Sequence, residues 1–498
     1  MDQYSKDLKV KVFNIEAGRL IAILNEKDAR EFGVFVGDRV ELLNLRNHKK
    51  TVGIIDITKS VVSPNQIGLF RDIVDKLEIK GNELIDVKPT GRLKSVEYIR
   101  KKLNKEKLNE EELFQIIKDI TEDRLSDIEA IAFTSAVYTV GFDLDETVYM
   151  TRALIENGKK IDFGVDNVVD KHSIGGVNGR ATMIIVPIIT TEKLFMPKTS
   201  SRSITSAAGT ADAMEVLAPV DISFEKVRAI TKKHGGVISW GGSVDLAPAD
   251  DKIIKLRHSL SIDPEGQVIA SVLAKKASAG SKHVVIDFPV GQYVKVKNKK
   301  DAAILAKKFI YVGKQVGLDV EVVLTNGDDP SGLAFGPALE AKYALEILEG
   351  KRFDNLAEKS CELAGSIFEL AGVCRQGQGY NKAKDILKSG KALNKMQEII
   401  KAQGGKIFKS TQILYSPLNF EVSAEKNGKI VGLDISLLTK MARLSGAPSD
   451  KNAGIMLSKN IGEKIKKGET LLTVFAENER KLKIAYEFSN SVKVVKII

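Results

Sequence analysis

Residues 162–215 limit the folds open to this chain more than any other stretch. An apolar, extended run closes at Val169. Asp170, Lys171, His172 and Ser173 follow, then Gly175, Gly176 and Gly179, and a second apolar run covers Met183 to Ile189. A strand, a glycine turn and a helix start present backbone N–H groups to an anion. Glycine permits close approach and positive φ. Lys171 adds a point charge and Ser173 a hydroxyl donor. The second half of the stretch carries Lys198, Thr199, Ser200, Ser201, Arg202, Ser203, Thr205 and Ser206, then Gly209, Thr210 and Asp212. Small hydroxyl residues at this density around one arginine suit an anion and a ribose. Each half alone also fits a solvated loop. The apolar segments on either side and the ending Ala207-Ala208-Gly209 favour close packing.

Composition narrows the class. A chain of 498 residues is expected to hold several domains. With 43% apolar and 28% charged residues it has the balance of an ordinary globular protein. No apolar run approaches the roughly 20 residues of a membrane span, and the N-terminus lacks the apolar core of a signal peptide. A cytoplasmic location and no membrane partner are therefore expected. Cys361 and Cys374 cannot build a disulfide framework or a thiolate metal site, and the five histidines are scattered, so no metal is expected. The net charge of +11 raises nucleic acid as a partner, but aromatics are 6% of residues and do not interleave with the basic ones. We read the excess as a Lys-rich surface on a protein with phosphate-bearing ligands, and expect no nucleic-acid partner.

The segment from Lys171 to Val177, KHSIGGV, together with Ser200 to Glu215, resembles the thymidine and pyrimidine nucleoside phosphorylases. Their signature is KHSTGG followed by a serine-arginine segment ending in GGT-x-D-x-x-E. Within that family the archaeal branch acting on AMP is the nearest in pattern. The resemblance runs from about Arg92 to the C-terminus, and the added N-terminal region fits the same branch. Where the nucleoside enzymes have a glycine-rich, histidine-containing second motif, this chain has Ser201, Ser203, Thr205, Ser206, Ala207 and Ala208. Extra hydroxyls there suit a substrate with one more phosphate. The resemblance implies phosphorolysis of nucleoside 5′-monophosphates, chiefly AMP to adenine and ribose 1,5-bisphosphate, with CMP and UMP as further substrates. The alternative within the family is a thymidine or pyrimidine-nucleoside phosphorylase. Outside it stands a nucleic-acid-binding or assembly protein with a degenerate site. Inorganic phosphate is the co-substrate, no cofactor is implied, and a homodimer or larger homo-oligomer is expected.

The resemblance also distributes roles. It gives Lys171, Ser173 and Ser200 to inorganic phosphate. It gives Gly175, Ser201, Arg202, Ser203, Ile204, Thr205, Ser206, Thr210, Ser271 and Lys295 to the nucleotide. His172, Arg257 and Lys275 face the base, as does Ser271 of the nucleotide set, and Asp263 is the proton donor beside it. A purine leaves more easily once N7 is protonated, so an acid beside the base is chemically useful. The same residues have plainer readings. Asp263 before Pro264 is also a turn former, with Asp250 and Asp251 the next acids. Lys275-Lys276 also reads as a solvated helix end. Lys297, Lys299 and Lys300 compete with Lys295.

The expected fold is multidomain, α/β and α+β. Residues 1–88 read as a small, β-rich, barrel-like domain resembling double-psi barrels, with a packing or assembly role read ahead of nucleotide binding. By resemblance, 91–160 and 246–281 form a helical lobe facing an α/β phosphate-binding domain of 161–245 and 282–412. Residues 416–498 read as a separate α+β domain similar to the lipoyl-carrier barrel, without its modified lysine. Asn109 with Glu112, Ser126 with Glu129 and Asp143 with Glu146 mark helix starts. Strands at Val284–Phe288 and Asp319–Leu324 around a helix from Ala302 argue an α/β sheet.

Overall fold

The computed structural model describes residues 4–91, 93–175, 178–203 and 206–498. The chain forms two units, residues 1–157 with 248–271, and residues 158–247 with 272–498.

In the first unit, strands β1 (Lys6–Phe13), β2 (Ile21–Asn25), β3 (Arg39–Asn44), β4 (Lys50–Thr58), β5 (Gln66–Phe70) and β6 (Leu84–Pro89) close into a barrel. Their order is β1-β5-β2-β4-β3-β6. Alternation drives this closure: Leu8 and Val10 of β1, Val40 and Leu42 of β3, and Ile85 and Val87 of β6 point into one apolar core. Helix α1 (Glu26–Phe32) is capped by Asn25, and Gly33 ends it at φ 67°. Helix α2 (Arg71–Lys76) follows β5. Helices α3 (Lys94–Leu103), α4 (Glu110–Thr121), α5 (Asp127–Val140) and α6 (Leu144–Glu156) come next. The capping boxes at Asn109, Ser126 and Asp143 form as the sequence suggests. Arg39 of the barrel joins this part, reaching the Arg124 carbonyl at 2.6 Å and the Glu129 carboxylate.

The second unit begins with β7 (Val169–Ser173), α7 (Thr182–Ile189), β8 (Met196–Ser200), α8 (Thr210–Glu215), α9 (Phe224–His234) and β9 (Gly236–Trp240). The chain then runs through α10 (Pro248–His258), in the first unit, and α11 (Glu265–Ser278), which starts in the first unit and ends in the second. There follow β10 (His283–Val290), α12 (Lys299–Gln315), β11 (Asp319–Asn326), β12 (Ala334–Phe335), α13 (Pro337–Leu348), α14 (Asn355–Leu370), α15 (Gly379–Lys388) and α16 (Lys391–Gln403). Strands β11, β10 and β7 are parallel neighbours, as are β8 and β9, and a parallel bridge between Val168 and Phe195 links the two groups. Helix α7 is buried over its whole length, as expected of an element between a sheet and further helices.

Two expectations are corrected. The strand expected up to Val169 lies later, at Val169–Ser173, so the polar residues are in the strand itself. They are tolerated there because Asp170 and Ser173 have buried partners, described below. The C-terminal strands β13 (Asn419–Ser423), β14 (Gly428–Leu433), β15 (Gly454–Leu457), β16 (Lys464–Ile465), β17 (Thr470–Phe475) and β18 (Val495–Ile497) do not make one closed barrel. They form two sheets, β12-β15-β17-β13 and β16-β14-β18, with helices α17 (Ile435–Leu444) and α18 (Glu479–Ser491). The edge of β15 is taken by β12, so the tail shares a sheet with the α/β part. No helix among the described residues is long and apolar enough to cross a membrane.

Candidate active site

Parallel strands gather their carboxyl ends along one side of a sheet, and that rim is where α/β folds bind ligands. Here β7 ends in Ser173, β8 in Ser200 and β9 in Trp240. The glycine turn and the serine-arginine segment therefore leave from neighbouring strand ends.

Strand β7 sends successive side chains to opposite faces. On one face Asp170, fully buried, takes Lys276 Nζ at 2.7 Å and Lys198 Nζ at 3.2 Å. Burial alone would raise the Asp170 pKa, but Lys198 and Lys276 outweigh it and hold the carboxyl below its usual range. His172 shares this face. Burial, and then Lys276, Lys198, Lys171 and Lys275, push its pKa well below the ordinary value, so the imidazole is neutral at physiological pH. On the other face Ser173 Oγ donates to Asp287 Oδ2 at 2.8 Å, and Lys359 Nζ lies 3.2 Å from the same oxygen. Thr325 Oγ1 donates to Asp287 Oδ1. Lys171 points to this face with 1% of its surface exposed. Among the described residues its ammonium has no hydrogen-bonded or ion-paired partner. Burial pushes its pKa down to about 8, with Asp287 and Asp170 favouring the charge and Lys359 and Lys276 opposing it. A buried cation without a direct counter-ion is unfavourable by itself. It becomes favourable when an anion arrives.

The turn after β7 brings a second cation close. Gly175 has φ 86°, and a Cβ there would stand 3.0 Å from Lys295 Cγ. The exposed Lys295 thus lies against the glycine turn, whereas Lys297 Nζ is tied to the Gln292 carbonyl at 2.6 Å. Of the four lysines that the sequence left in competition, Lys295 is the one seen against Gly175.

In the serine-arginine segment, Arg202 makes a two-pronged bond to Glu215 at 2.6 and 2.8 Å and lies 5.2 Å over the Trp240 ring. The Arg202 guanidinium, and then Lys451, hold the Glu215 pKa down at about 2. Asp212 accepts the backbone N–H groups of Ser203 and Gly209 at 2.7 and 2.8 Å. Gly209 is packed so closely that a Cβ would meet the Ser201 carbonyl at 2.5 Å. Ser206 Oγ lies 3.0 Å from the Ala208 carbonyl and 3.1 Å from Ser203 Oγ, one of which takes its proton. Thr210 is buried at the start of α8, and Ser201 is exposed. The described residues of this segment are tied down by these bonds. Gly176, Ile204 and Thr205 lie outside the described residues.

The first unit holds Arg257, Asp263 and Ser271. Ser271 is buried on α11 and donates to the buried Asp250 at 2.6 Å. Asp263 precedes the helix and is exposed, with Arg257 Nη1 3.5 Å from its carboxylate. The burial that an acid role calls for is not present in this arrangement. Lys275 is half-buried, one turn beyond Ser271. Its neighbour Lys276 is no solvated helix end, since it is the buried partner of Asp170.

Sequence reasoning missed Asp287, Thr325 and Lys359. Asp287 had a readable signal, a lone acid inside the apolar run Val284–Phe288, which demands a buried partner. Nothing local to Lys359 identifies it as that partner.

Three family descriptions match the chain. They are "Glycosyl transferase family, helical bundle domain" over residues 96–158, "Glycosyl transferase family, a/b domain" over 165–393, and "Pyrimidine nucleoside phosphorylase C-terminal domain" over 433–494. The chain is 43% identical over 481 residues to the AMP phosphorylase of Methanococcoides burtonii, covering 96% of this chain and 94% of that one. It is 44% identical to AMP phosphorylase 1 of Archaeoglobus fulgidus, covering 96% and 95%. Against the AMP phosphorylase of Thermococcus sibiricus the identity is 43%, covering 95% and 94%. Among solved structures, anthranilate phosphoribosyltransferase from Thermus thermophilus superposes with a TM-score of 0.53 at 19% identity, covering 62% of this chain and 99% of that one. That likeness concerns the fold alone.

Proposed function

The chain belongs to the AMP phosphorylase family and is a pentosyltransferase, and we propose that it converts AMP and phosphate to adenine and ribose 1,5-bisphosphate. CMP and UMP are further substrates in this reading. The observation that carries it is the Lys171 ammonium, buried, charged below about pH 8, without a direct counter-ion among the described residues, and followed by a glycine turn. Inorganic phosphate supplies the missing anion, with Ser200 as a hydroxyl donor beside it and Ser173 able to donate only by turning its proton away from Asp287.

The chemistry follows from the bond to be broken. A phosphate oxygen forms a bond to the ribose C1′ as the C1′–N9 bond breaks, and the electron pair leaves on the base. The sugar passes through an oxocarbenium-like state, as in glycoside cleavage. Holding phosphate against C1′ is worth roughly 7–11 kcal/mol when the geometry is right. Adenine takes a proton at N7, and Asp263 is the donor in this reading. Its exposure means that the bound base itself must cover it for the acid role. His172, neutral, faces the base as a hydrogen-bonding group without charge. Ser201, Arg202, Ser203, Ser206 and the exposed Lys295 suit the 5′-phosphate in this reading, together with Ile204 and Thr205. The reaction as written uses phosphate as co-substrate and calls on no cofactor.

The test compares AMP with adenosine at fixed phosphate, following free adenine and phosphate uptake. AMP is expected to be consumed and adenosine to be slower by at least tenfold, the worth of one charged hydrogen bond to phosphate of roughly 1.5–3 kcal/mol. Equal rates would make the chain a nucleoside phosphorylase. No phosphate uptake with any nucleotide would remove the reaction altogether.

A further inference from the structure

On helix α11, Gln267 is a buried polar residue that no role above accounts for. Gln267 is 2% exposed, and both its Oε1 and its Nε2 are buried without a hydrogen-bond partner among the described residues. A carboxamide has two donors and an acceptor, and leaving it unsatisfied inside a protein is unfavourable. Its position is informative. Gln267 lies one helical turn before Ser271, which lies one turn before Lys275, so the three share a face of α11. Asp263 stands the same spacing upstream, just before the helix begins at Glu265. Gln267 thus stands on the helix face that carries Ser271 and Lys275, with Asp263 in the segment just upstream.

The polarity of Ser271 adds a requirement. Its single hydroxyl proton is donated to Asp250, and a carboxylate offers only acceptors. Toward a ligand, Ser271 Oγ therefore presents lone pairs. A base edge that pairs an amino group with a ring nitrogen needs an acceptor and a donor side by side. Ser271 cannot supply the donor, which must come from a neighbour such as the Lys275 ammonium or the Gln267 carboxamide. A carboxamide supplies both.

We propose that Gln267 is a base-contacting residue, reading an edge that pairs an amino donor with a ring-nitrogen acceptor, as adenine and cytosine present. Uracil is accommodated by turning the amide over, which exchanges donor and acceptor. This rests on the reading of Asp263 and Ser271 as base-facing.

The test uses the full chain and two apolar replacements of similar volume, Gln267→Leu and Gln267→Met. AMP is compared with the 5′-monophosphate of unsubstituted purine riboside, whose base lacks the amino group. The wild-type chain is expected to prefer AMP by about tenfold or more in kcat/KM, the factor carried by one good hydrogen bond. In both variants the preference should fall below about threefold. Comparing ratios cancels the intrinsic difference between the two leaving groups. The KM for phosphate should not move, and the thermal midpoint without substrate should be unchanged or higher, because an unpaired buried amide has been removed. A preference retained in the variants would overturn the inference, as would its absence from the wild-type chain. So would a lowered midpoint or failure to fold in both variants, which would mark Gln267 as satisfied within the fold, for example by a buried water. If the wild-type chain does not consume AMP, the proposed function fails and takes this inference with it. AMP turnover with an unaltered preference defeats this inference alone.

Discussion

At the scale of single residues the proposed function turns on Lys171. Replacing it with alanine should lower kcat by roughly 10²–10³-fold, as for removal of one preorganised electrostatic group, and raise the KM for phosphate. Steady-state kinetics with varied phosphate checks both. Its pKa near 8 also predicts a pH profile. As pH rises through about 8 the free enzyme loses the ammonium charge, so kcat/KM for phosphate should fall there. Bound phosphate favours the charged form, so kcat should hold to higher pH. Asp263→Asn should bind AMP and lose roughly 10²–10⁴-fold in turnover, the usual share of a general acid, with a smaller loss for CMP, which has no N7. Single-turnover rates decide it, and an unchanged rate leaves Asp263 a turn residue paired with Arg257. The glycine turn and the serine-arginine segment were legible because each is local. The partners of β7 were not. Asp170 meets Lys276 across 106 residues and Ser173 meets Asp287 across 114, and no spacing rule reaches that far. Lys276 looked like a solvated end for the same reason.

Elements divide along the same line. The capping boxes of α4, α5 and α6 were readable because the two partners of each stand three residues apart. The start of β7 was misjudged because an Asp, a Lys and a His do not read as strand interior unless their buried partners are known. The turn leaving β7 gives its own prediction. Gly175→Ala would place a methyl 3.0 Å from Lys295 Cγ on a backbone at φ 86°, where L-residues are strained by roughly 1–2 kcal/mol. The substitution should raise the KM for AMP about tenfold and lower the thermal midpoint by only about 1–4 °C. Isothermal titration with AMP would check it, and unchanged binding would separate Lys295 from the nucleotide.

For the whole molecule, the Lys171 site should weaken the fold that contains it. Its pKa in the folded chain, about 8, lies below the ordinary lysine value of 10.5, so between those pH values the unfolded chain holds more protons. Stability of the ligand-free protein therefore rises with pH across that window, and the penalty is fully present below about pH 8. Lys171→Met should thus stabilise the fold at pH 7 by about 1–3 kcal/mol while abolishing phosphate use. Denaturant melts at pH 7 and pH 10 test this, since the gain should shrink at the higher pH. The sharing of a sheet between β12 and the C-terminal strands has a consequence for biosynthesis. A ribosome delivers the barrel strands first, and they can close with no later partner. The edge of β12, by contrast, waits through more than a hundred further residues for β15 to emerge. During that interval a nascent strand edge and unfinished apolar packing stand open, the condition in which growing chains recruit chaperones or stick to one another.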